Sequence, residues 1–400
     1  MSTVLIPSPV DLIQTTALRA LGRRGDICHV ACESGKNRVS RFCRRFISVP
    51  NAEKDPEAYV TAIIDLCKTR KYDVILPTSM ATLEVLAQHA NTLAEFSNIL
   101  FPSVVQVEIG MDKRRTIEMC RKFGFAHPAT VFLEDDSDLV KIGESFGFPL
   151  IVKHERNFGG SFGVRCVSAM NELSLTVKNL SQLGGGISHC MVQKFVPGAL
   201  FDACVVAHNG KVARIVTQVR HLMYPISGGV AAHLVSVENS QLRDLAANII
   251  SALNWTGPIQ LEFKWDAESH EFSLIEINPR FWGTTGAWAR AGFDFPGVAV
   301  DLAMGGTVQA IDALPGNLRF KYLIGRTPYA LVQLMRAKGW AAMRDPNKYD
   351  QTWHDFDLRD PGPDVWRIYD EIRKLLRGER ILSDTSLPVK LLPVFTKVMQ

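Results

Sequence analysis

Short apolar runs alternate with amphipathic stretches through the first hundred residues, which is the pattern of a doubly wound α/β sheet. Apolar runs at residues 4–6 and 27–31 predict the first two strands, and a helix is expected between them from residue 12 to 21. Two further runs, at 73–76 and 98–101, each end just before a proline, as expected where a buried strand stops. No GxGxxG follows the first strand, so the pattern disfavours a dinucleotide-dependent enzyme.

The hydrophobic pattern changes after the first hundred residues. Asp112 is placed to cap a helix that ends at Gly124. Strands are then predicted at 148–153 and 164–167. The glycine-rich stretch that joins them, residues 154–163, predicts a flexible flap.

The most informative pattern is a predicted hairpin around a turn at residues 267–271. Alternation places Glu276 and Asn278 on one face of its second strand. The turn would set Glu262 of the first strand directly opposite Glu276, with Cβ atoms roughly 4.5–5.5 Å apart. Because like charges at that distance repel, a cation is expected between them, and an oxygen-only set of Glu262, Glu276 and Asn278 suits Mg²⁺.

A different interpretation of the hairpin stays open. Lys264 and Arg280 could neutralise the two glutamates as an ordinary surface network, or one glutamate could point into solvent. Arg280 favours the metal interpretation, because a guanidinium beside a metal-bound phosphate stabilises negative charge during phosphoryl transfer.

Length and composition narrow the class of protein. The 400 residues favour two or three domains. Charge is balanced, at 45 basic against 41 acidic side chains, which argues against a nucleic-acid partner. No apolar run is long enough to span a membrane and no signal segment is evident, so we expect a cytoplasmic protein without a membrane partner. Eight scattered cysteines suggest reduced, mostly buried thiols.

Two regions carry weaker signals. The densest basic run is interpreted as a solvated or phosphate-neighbouring loop; it comprises Lys36, Arg38, Arg41, Arg44 and Arg45. From about residue 311 the chain holds two amphipathic stretches, at 329–342 and 365–376, and no chemical motif. A mostly helical C-terminal extension is therefore expected over residues 311–400.

The chain resembles the ATP-grasp enzymes in three features, taken in order: Lys113 on a predicted helix, Lys153 before the flap, and the carboxylate hairpin. The resemblance covers residues 1–310. Its core motif is Glu262 with Glu276-Ile277-Asn278-Pro279-Arg280. Within that superfamily the chain is most similar to carboxylate–amine ligases of the D-aspartate ligase and carbamoyl-phosphate-synthase-like type. The resemblance implies an α/β fold of three parts: a Rossmann-like pre-ATP domain, a two-lobed α+β ATP-grasp domain and the helical extension. The implied bounds are 1–107, 108–310 (lobes 108–190 and 191–310, flap 154–163) and 311–400.

The resemblance also implies roles for individual residues. Glu262, Glu276 and Asn278 would hold the metal, and Arg280 would be catalytic. The implied ATP-binding residues are Lys113, Lys153, Gly159, Gly160, Ser161, Gly163, Gln193, Lys194, Phe195, Val196 and Asp202. Lys113 and Lys153 would hold phosphates, the flap glycines would cover them, the hinge 193–196 would meet adenine, and Asp202 would take the ribose. Lys264 departs from the family pattern and could approach the nucleotide or offset the carboxylates.

Substrate contacts are expected in two segments. Residues 218–229 are predicted as a binding loop between a strand and a helix, and residues 282–290 follow the metal strand directly. The candidates are Arg220, His221, Ser227, Gly228, Gly283, Thr284 and Arg290. Arg220 could clamp a phosphate or carboxylate, or be a solvated side chain in a turn.

The resemblance implies an ADP-forming ligase that uses ATP and Mg²⁺, with Mn²⁺ as a substitute, and joins a small-molecule carboxylate to an amine through an acyl phosphate. Two alternatives remain open at this point: a carboxyphosphate-using carboxylase or carbamoyl-phosphate-type enzyme, and a non-catalytic ATP-binding regulatory protein. A homodimer is the base-rate expectation for the assembly.

Overall fold

The computed structural model describes most of the chain. The described residues are 1–9, 12–156, 163–267, 269–308, 317–345 and 347–379, without the side chains of residues 36 and 37. Within these ranges, no helix is both long enough and apolar enough to cross a membrane.

The first part of the chain is a parallel sheet between two helical layers. Its elements are β1 (Thr3–Ile6), α1 (Leu12–Arg24), β2 (Ile27–Cys32), β3 (Cys43–Ser48), α2 (Pro56–Thr69), β4 (Val74–Ile75), α3 (Met80–Gln88), α4 (Ala90–Ala94) and β5 (Asn98–Ile99). The strands lie in the order β3-β2-β1-β4-β5, all parallel. Both faces are covered, because Leu5 packs against α2 while Val4 and Ile6 pack against α1. The predicted strands and the helix between them are confirmed.

Two helices lead from this sheet into a small antiparallel one. The elements are α5 (Val104–Met111), α6 (Lys113–Phe123), β6 (Thr130–Phe132), α7 (Leu139–Phe146), β7 (Leu150–His154), β8 (Val164–Val167), α8 (Met170–Ser181) and β9 (Cys190–Lys194), with strand order β6-β9-β7-β8. Asp112 caps α6 by accepting hydrogen bonds from the amides of Arg114 and Arg115. Gly124 ends the helix in the left-handed region at φ 72°. Both predicted ends of this helix are confirmed.

A seven-stranded sheet forms the rest of the core. The elements of this part of the chain are β10 (Leu200–His208), β11 (Lys211–Tyr224), β12 (Val230–Ser236), α9 (Ser240–Ala252), β13 (Gly257–Asp266), β14 (Glu271–Asn278), α10 (Thr285–Arg290), α11 (Phe295–Ala303), β15 (Leu318–Lys321), α12 (Thr327–Lys338), β16 (Gln351–His354) and α13 (Pro361–Leu376). The order is β14-β13-β10-β11-β12-β15-β16. Ala203 and Val205 of β10 face α9, whereas Cys204 and Val206 join the core that α1 shares with the N-terminal sheet.

The C-terminal residues are more than a helical extension. The predicted amphipathic stretches are the helices α12 and α13, and α12 ends at Gly339, which has φ 81°. Pattern analysis missed β15 and β16, which extend the large sheet beyond β12. Each has only four residues, too few for an alternation to stand out in the sequence.

Candidate active site

The predicted carboxylate pair lies on the hairpin of β13 and β14. Glu262 is the register partner of Glu276, as the alternation predicted. The turn is one residue shorter than expected, because Asp266 pairs with Glu271. A bulge at Ile275 supplies the extra residue and restores the pairing of the two glutamates.

The bulge also decides which way the second strand faces. Phe272 and Leu274 before it and Ile277 after it all belong to the buried core beside α9. Strict alternation would place Glu276 on the same face as Phe272 and Leu274. The inserted residue reverses that phase, so Glu276 and Asn278 lie on the face opposite the core.

A third carboxylate stands in the same row of the sheet. Asp202 of β10 is the register partner of Glu262 on the other side, and it is fully buried. Arg220 of β11 neutralises both: its Nη2 lies 2.7 Å from Asp202 Oδ1 and 2.5 Å from Glu262 Oε1. Its Nε and the amide of Gln218 donate to Asp202 Oδ2, at 3.1 and 2.7 Å. Both oxygens of Asp202 are thus engaged inside the protein, and we propose no ribose contact for it.

Three carboxylates lie close together in this row of the sheet. Burial raises the pKa of Glu262 to about 7, with Glu276 and Asp202 adding to the rise and Arg220 opposing it. Asn278 donates from Nδ2 to Glu262 Oε1 at 3.0 Å, so its amide is within reach of the same ligand. Two carboxylates with an amide oxygen beside them are the kind of oxygen ligands that suit a hard divalent ion.

Among the described residues, no group of three or more histidine, cysteine, aspartate or glutamate side chains could hold a metal ion. A metal at the hairpin would have Glu262, Glu276 and Asn278 as its protein ligands and would need further oxygens from a ligand or from water.

Two buried lysines reach this row from the other side of the cleft. Lys153 of β7 places Nζ 3.5 Å from the carbonyl oxygen of Ile275, the bulge residue. Lys113, the first residue of α6, donates from Nζ to the carbonyl oxygen of Arg156 at 3.2 Å. Burial lowers the pKa of both lysines, that of Lys153 to about 8, while the negative charge of Glu276 opposes the shift. Two desolvated ammonium groups beside a carboxylate pair suit a phosphate-bearing ligand.

The structure describes both ends of the flap but not its middle. Gly159, Gly160 and Ser161 lie outside the described residues. Gly163, at the end of the flap, has φ 78°, and its carbonyl oxygen accepts from the amide of His154 at 2.8 Å.

The hinge residues follow β9. Gln193 is buried and donates from Nε2 to Thr130 Oγ1 at 2.9 Å. The side chain of Lys194 is exposed, Val196 is half-buried, and Phe195 packs against the cluster around Leu222. Strand β10 begins four residues after Val196, so this segment links the two sheets that flank the cleft.

The prediction of a substrate-binding loop at residues 218–229 is wrong, because most of this segment is a strand. Arg220 and His221 lie inside β11, a strand of 14 residues, and Ser227 and Gly228 lie in the short turn before β12. The strand continues to Tyr224 through two irregularities in its pairing with β12, one between Arg220 and Leu222 and one between Leu222 and Met223. Arg220 faces the carboxylate row, and His221 is buried with Nε2 3.2 Å from Asp345 Oδ1.

The second predicted substrate segment packs around the end of the hairpin. Thr284 donates from Oγ1 to Gln218 Oε1 at 3.0 Å, which connects it to the carboxylate row. The carbonyl oxygen of Gly283 accepts from the hydroxyl of Tyr322 at 2.6 Å. Arg290 points elsewhere, donating from Nη2 to the carbonyl oxygen of Phe356 at 2.7 Å. Thr284 is linked to the site through Gln218, whereas Gly283 and Arg290 contact residues of the C-terminal part of the chain.

Arg280 and Lys264 complete the charges of the cleft. Arg280 is half-buried; its Nη2 lies 3.3 Å from Asn278 Oδ1, and its Nη1 donates to the carbonyl oxygen of Phe281. Lys264 donates from Nζ to the carbonyl oxygen of Gly198 at 2.8 Å, beside the hinge. Burial lowers the pKa of Lys264 to about 8, and Arg220 adds to the shift. Lys264 is therefore held at the hinge rather than between the two glutamates.

Pattern analysis missed the role of Gln218 and the pairing of Arg220 with Asp202. One signal was present in the sequence: Asp202 is the only charged residue in an otherwise apolar run from Leu200 to Ala207. A single carboxylate in a buried strand requires a cationic partner. The pattern does not show which arginine provides it.

The chain is similar to several known proteins. Residues 187–324 match the family model described as "ATP-grasp in the biosynthetic pathway with Ter operon". The arginine-specific large chain of carbamoyl phosphate synthase from Bacillus subtilis (strain 168) is 24% identical over 224 residues, which cover 53% of this chain and 21% of that protein. The chain spans about a fifth to a quarter of the length of the curated relatives it matches.

Solved structures share the fold at low sequence identity. The biotin carboxylase domain dimer of Hydrogenobacter thermophilus 2-oxoglutarate carboxylase, in complex with MgADP, ADP and bicarbonate, has a TM-score of 0.63 and 16% identity, covering 78% of this chain and 71% of that one. L-amino acid ligase from Bacillus licheniformis has a TM-score of 0.59 and 15% identity, covering 76% and 75%.

Proposed function

We propose that this chain, a member of the ATP-grasp superfamily, is an ADP-forming ligase that joins a carboxylate to an amine. One observation carries the proposal: two buried lysines, Lys113 and Lys153, approach the glutamate pair Glu262 and Glu276 across the cleft between two sheets. Such a meeting of cations and carboxylates suits a nucleotide whose phosphates bind the lysines on one side and a metal on the other. The match of residues 187–324 to an ATP-grasp family model supports it.

In this proposal each part of the cleft holds one part of ATP. Lys113 and Lys153 bind the phosphates as point charges. The flap covers them with backbone amides, as its glycines allow. The hinge at residues 193–196 presents main-chain groups to the adenine edge. The proposed parts of the chain are the pre-ATP domain 1–107, the ATP-grasp domain 108–310 and the extension 311–400.

Glu262, Glu276 and Asn278 would hold Mg²⁺ or Mn²⁺. When bound, this ion neutralises the phosphate oxygens and helps to position the γ-phosphate. Arg280, beside Asn278, would stabilise the charge that develops on the transferring phosphoryl group. Arg220 keeps Glu262 in place and offsets the repulsion of three carboxylates in one row.

The proposed reaction has two steps. An oxygen of the substrate carboxylate forms a bond to the γ-phosphorus as ADP leaves, which gives an acyl phosphate. The nitrogen of the amine then attacks the acyl carbon, inorganic phosphate leaves, and the nitrogen loses a proton. We propose an amino acid as one of the two substrates, in keeping with the fold shared with an L-amino acid ligase.

The experiment measures ADP and AMP release from Mg-ATP with pooled amino acids and small carboxylates, with hydroxylamine added to trap an acyl phosphate. Substrate-dependent ADP together with a hydroxamate is the expected result. AMP formation would contradict the acyl-phosphate route. Tight Mg-ATP binding with no phosphate release across the pool would favour a regulatory protein instead.

Glu276→Gln tests the site itself. The amide keeps the shape of the side chain but removes the negative charge, so we expect ADP formation to fall below one hundredth of the wild-type rate, with the fold intact. Glu271→Gln is the matched control, because Glu271 is exposed at the far end of the same strand. A wild-type rate in Glu276→Gln would show that the metal assignment is wrong.

A second candidate is a carboxyphosphate-using carboxylase or carbamoyl-phosphate-type enzyme. It is favoured by the resemblance to a carbamoyl phosphate synthase chain and by the fold shared with a biotin carboxylase domain. Bicarbonate-stimulated ADP formation without any amine would support this candidate over the ligase. Because that solved structure is a dimer, we also propose a homodimer here, to be tested by sedimentation.

A further inference from the structure

A large cavity lies at the carboxyl ends of β1, β2 and β3. Its volume is about 780 Å³, within the usual ~300–1,000 Å³ of small-molecule sites. In doubly wound sheets, this edge of the strands is where ligands bind. The residues around the cavity include none of those assigned above to ATP, metal or substrate.

Three aromatic residues from distant parts of the chain contribute to the lining of the cavity. Two of them are Phe46 of β3 and Tyr59 of α2. The hydroxyl of Tyr59 donates to the carbonyl oxygen of Pro7 at 2.7 Å, which fixes the ring. Trp366 of α13 contributes to the lining and is 42% exposed. The C-terminal segment therefore completes a pocket that the N-terminal sheet begins.

Three charged residues line this cavity: Glu33, Arg38 and Glu53. The guanidinium of Arg38 and the carboxylate of Glu53 have no hydrogen bond or ion pair within the part of the chain that the structure describes. Glu33, also in the lining, is already engaged, since Asn51 Nδ2 and Lys54 Nζ lie 2.9 and 3.4 Å from its oxygens. The cavity thus offers one available cation and one available anion.

We propose that this cavity binds a dipolar small molecule of the amino-acid class, with its carboxylate at Arg38 and its ammonium group at Glu53. A free phosphate or sulfate fits less well, because Glu33 and Glu53 would repel a second negative charge. The volume allows a ligand up to the size of a dipeptide, whose side chains would pack against Phe46, Tyr59 and Trp366. The site is separate from the ATP cleft and does not depend on the function proposed for that cleft.

The test uses the full chain without ATP and each of the twenty standard L-amino acids, glycylglycine and inorganic phosphate as probes. Binding is measured by titration calorimetry. We expect at least one amino acid or the dipeptide to bind, and both Arg38→Gln and Glu53→Gln to weaken that binding roughly ten-fold or more, because each removes a charge-assisted hydrogen bond. Arg44→Gln and Glu57→Gln change exposed residues outside the cavity and should bind as the wild type does.

Tryptophan fluorescence gives a second measurement. A ligand in the cavity should change the emission of Trp366, and Trp366→Phe should abolish that change while calorimetric binding remains. Glu276→Gln should bind the same probe unchanged, so a failed ligase assay and a failed cavity are distinguishable. The proposal is overturned if no amino acid or dipeptide binds, if phosphate alone binds, or if binding persists unchanged in both Arg38→Gln and Glu53→Gln.

Discussion

At the scale of single residues, Arg220 shows how a side chain in mid-strand can control a site. Its side chain is 11% exposed and lies between Asp202 and Glu262, which are register partners on adjacent strands. The two carboxylates raise the pKa of Arg220, so the guanidinium stays charged despite its burial. Removing a buried cation that pairs with two carboxylates is costly, because both carboxylates then stay buried without a positive charge beside them.

We therefore expect Arg220→Met to lower the free energy of unfolding by about 3–5 kcal/mol. Urea denaturation of the full chain measures it. Arg243→Met is the control: Arg243 pairs with Glu238 at 3.4 Å on the surface, and such pairs contribute less than about 1 kcal/mol. Equal losses in the two variants would mean that Asp202 and Glu262 do not need the cation.

Sequence alone predicted the acids of the site but not this partner. Glu262 and Glu276 were expected opposite each other across a five-residue turn, and the pairing holds because the bulge at Ile275 compensates for a turn that is one residue shorter. Arg220 and Asp202 lie on neighbouring strands, and the segment of Arg220 was expected to be a binding loop. Their pairing depends on strand order in the sheet, which a local pattern does not contain.

At the scale of elements, the bulge at Ile275 and the packing of α5 together set the end of the hairpin. The bulge turns Glu276 away from the core, and the turn after Asn278 is held against α5. Gly110 of α5 allows this contact: a Cβ atom there would lie 2.7 Å from Cδ and 2.9 Å from Cγ of Pro279. Neither feature could be predicted, since a bulge appears only once both strands are paired and the close approach only once α5 is docked.

Gly110→Ala tests this contact. The proline ring is rigid and is joined to strand β14, so we expect overpacking to lower the free energy of unfolding by about 1–3 kcal/mol. Alanine favours the helix over glycine by roughly 1 kcal/mol, which offsets part of this loss. We also expect slower ADP formation, because Asn278 and Arg280 flank the displaced ring. Gly143→Ala in α7 is the control, since its nearest neighbour is the flexible end of Met170 at 2.5 Å. ADP formation as fast in Gly110→Ala as in Gly143→Ala would contradict a positioning role for this contact.

At the scale of the whole molecule, the C-terminal segment ties the first sheet to the last. Arg19 of α1 is buried, and its Nε and Nη2 each lie 2.9 Å from a carboxylate oxygen, of Asp360 and Asp364 respectively. Asp357 adds an ion pair with Arg23. Arg290, at the end of the helix that follows the hairpin, donates to Phe356 in the same C-terminal segment. Arg19 and its two aspartate partners are more than 300 residues apart in the sequence. The pattern of residues 311–400 therefore predicted helices but could not predict that this segment pairs with α1.

The ion pairs of Arg19 with Asp360 and Asp364, called the clasp below, should act as a unit. Asp364 is fully buried and also accepts from the amide of Asp357 at 2.8 Å, so Asp364→Asn keeps its shape but leaves Arg19 with less negative charge. We expect a loss of about 3–5 kcal/mol in the free energy of unfolding. Asp301→Asn, at a half-exposed partner of Arg24, should cost less than about 1 kcal/mol.

A double-mutant cycle then separates the clasp from general loss of packing. Because Arg19 and Asp364 contact each other directly, the losses in Arg19→Met and Asp364→Asn should not add: the double variant should be more stable than their sum predicts by about 0.5–3 kcal/mol. Unfolding is followed by both circular dichroism and tryptophan emission. Strictly additive losses would show that the C-terminal segment is held by α13 packing, with the acidic residues contributing no coupling of their own.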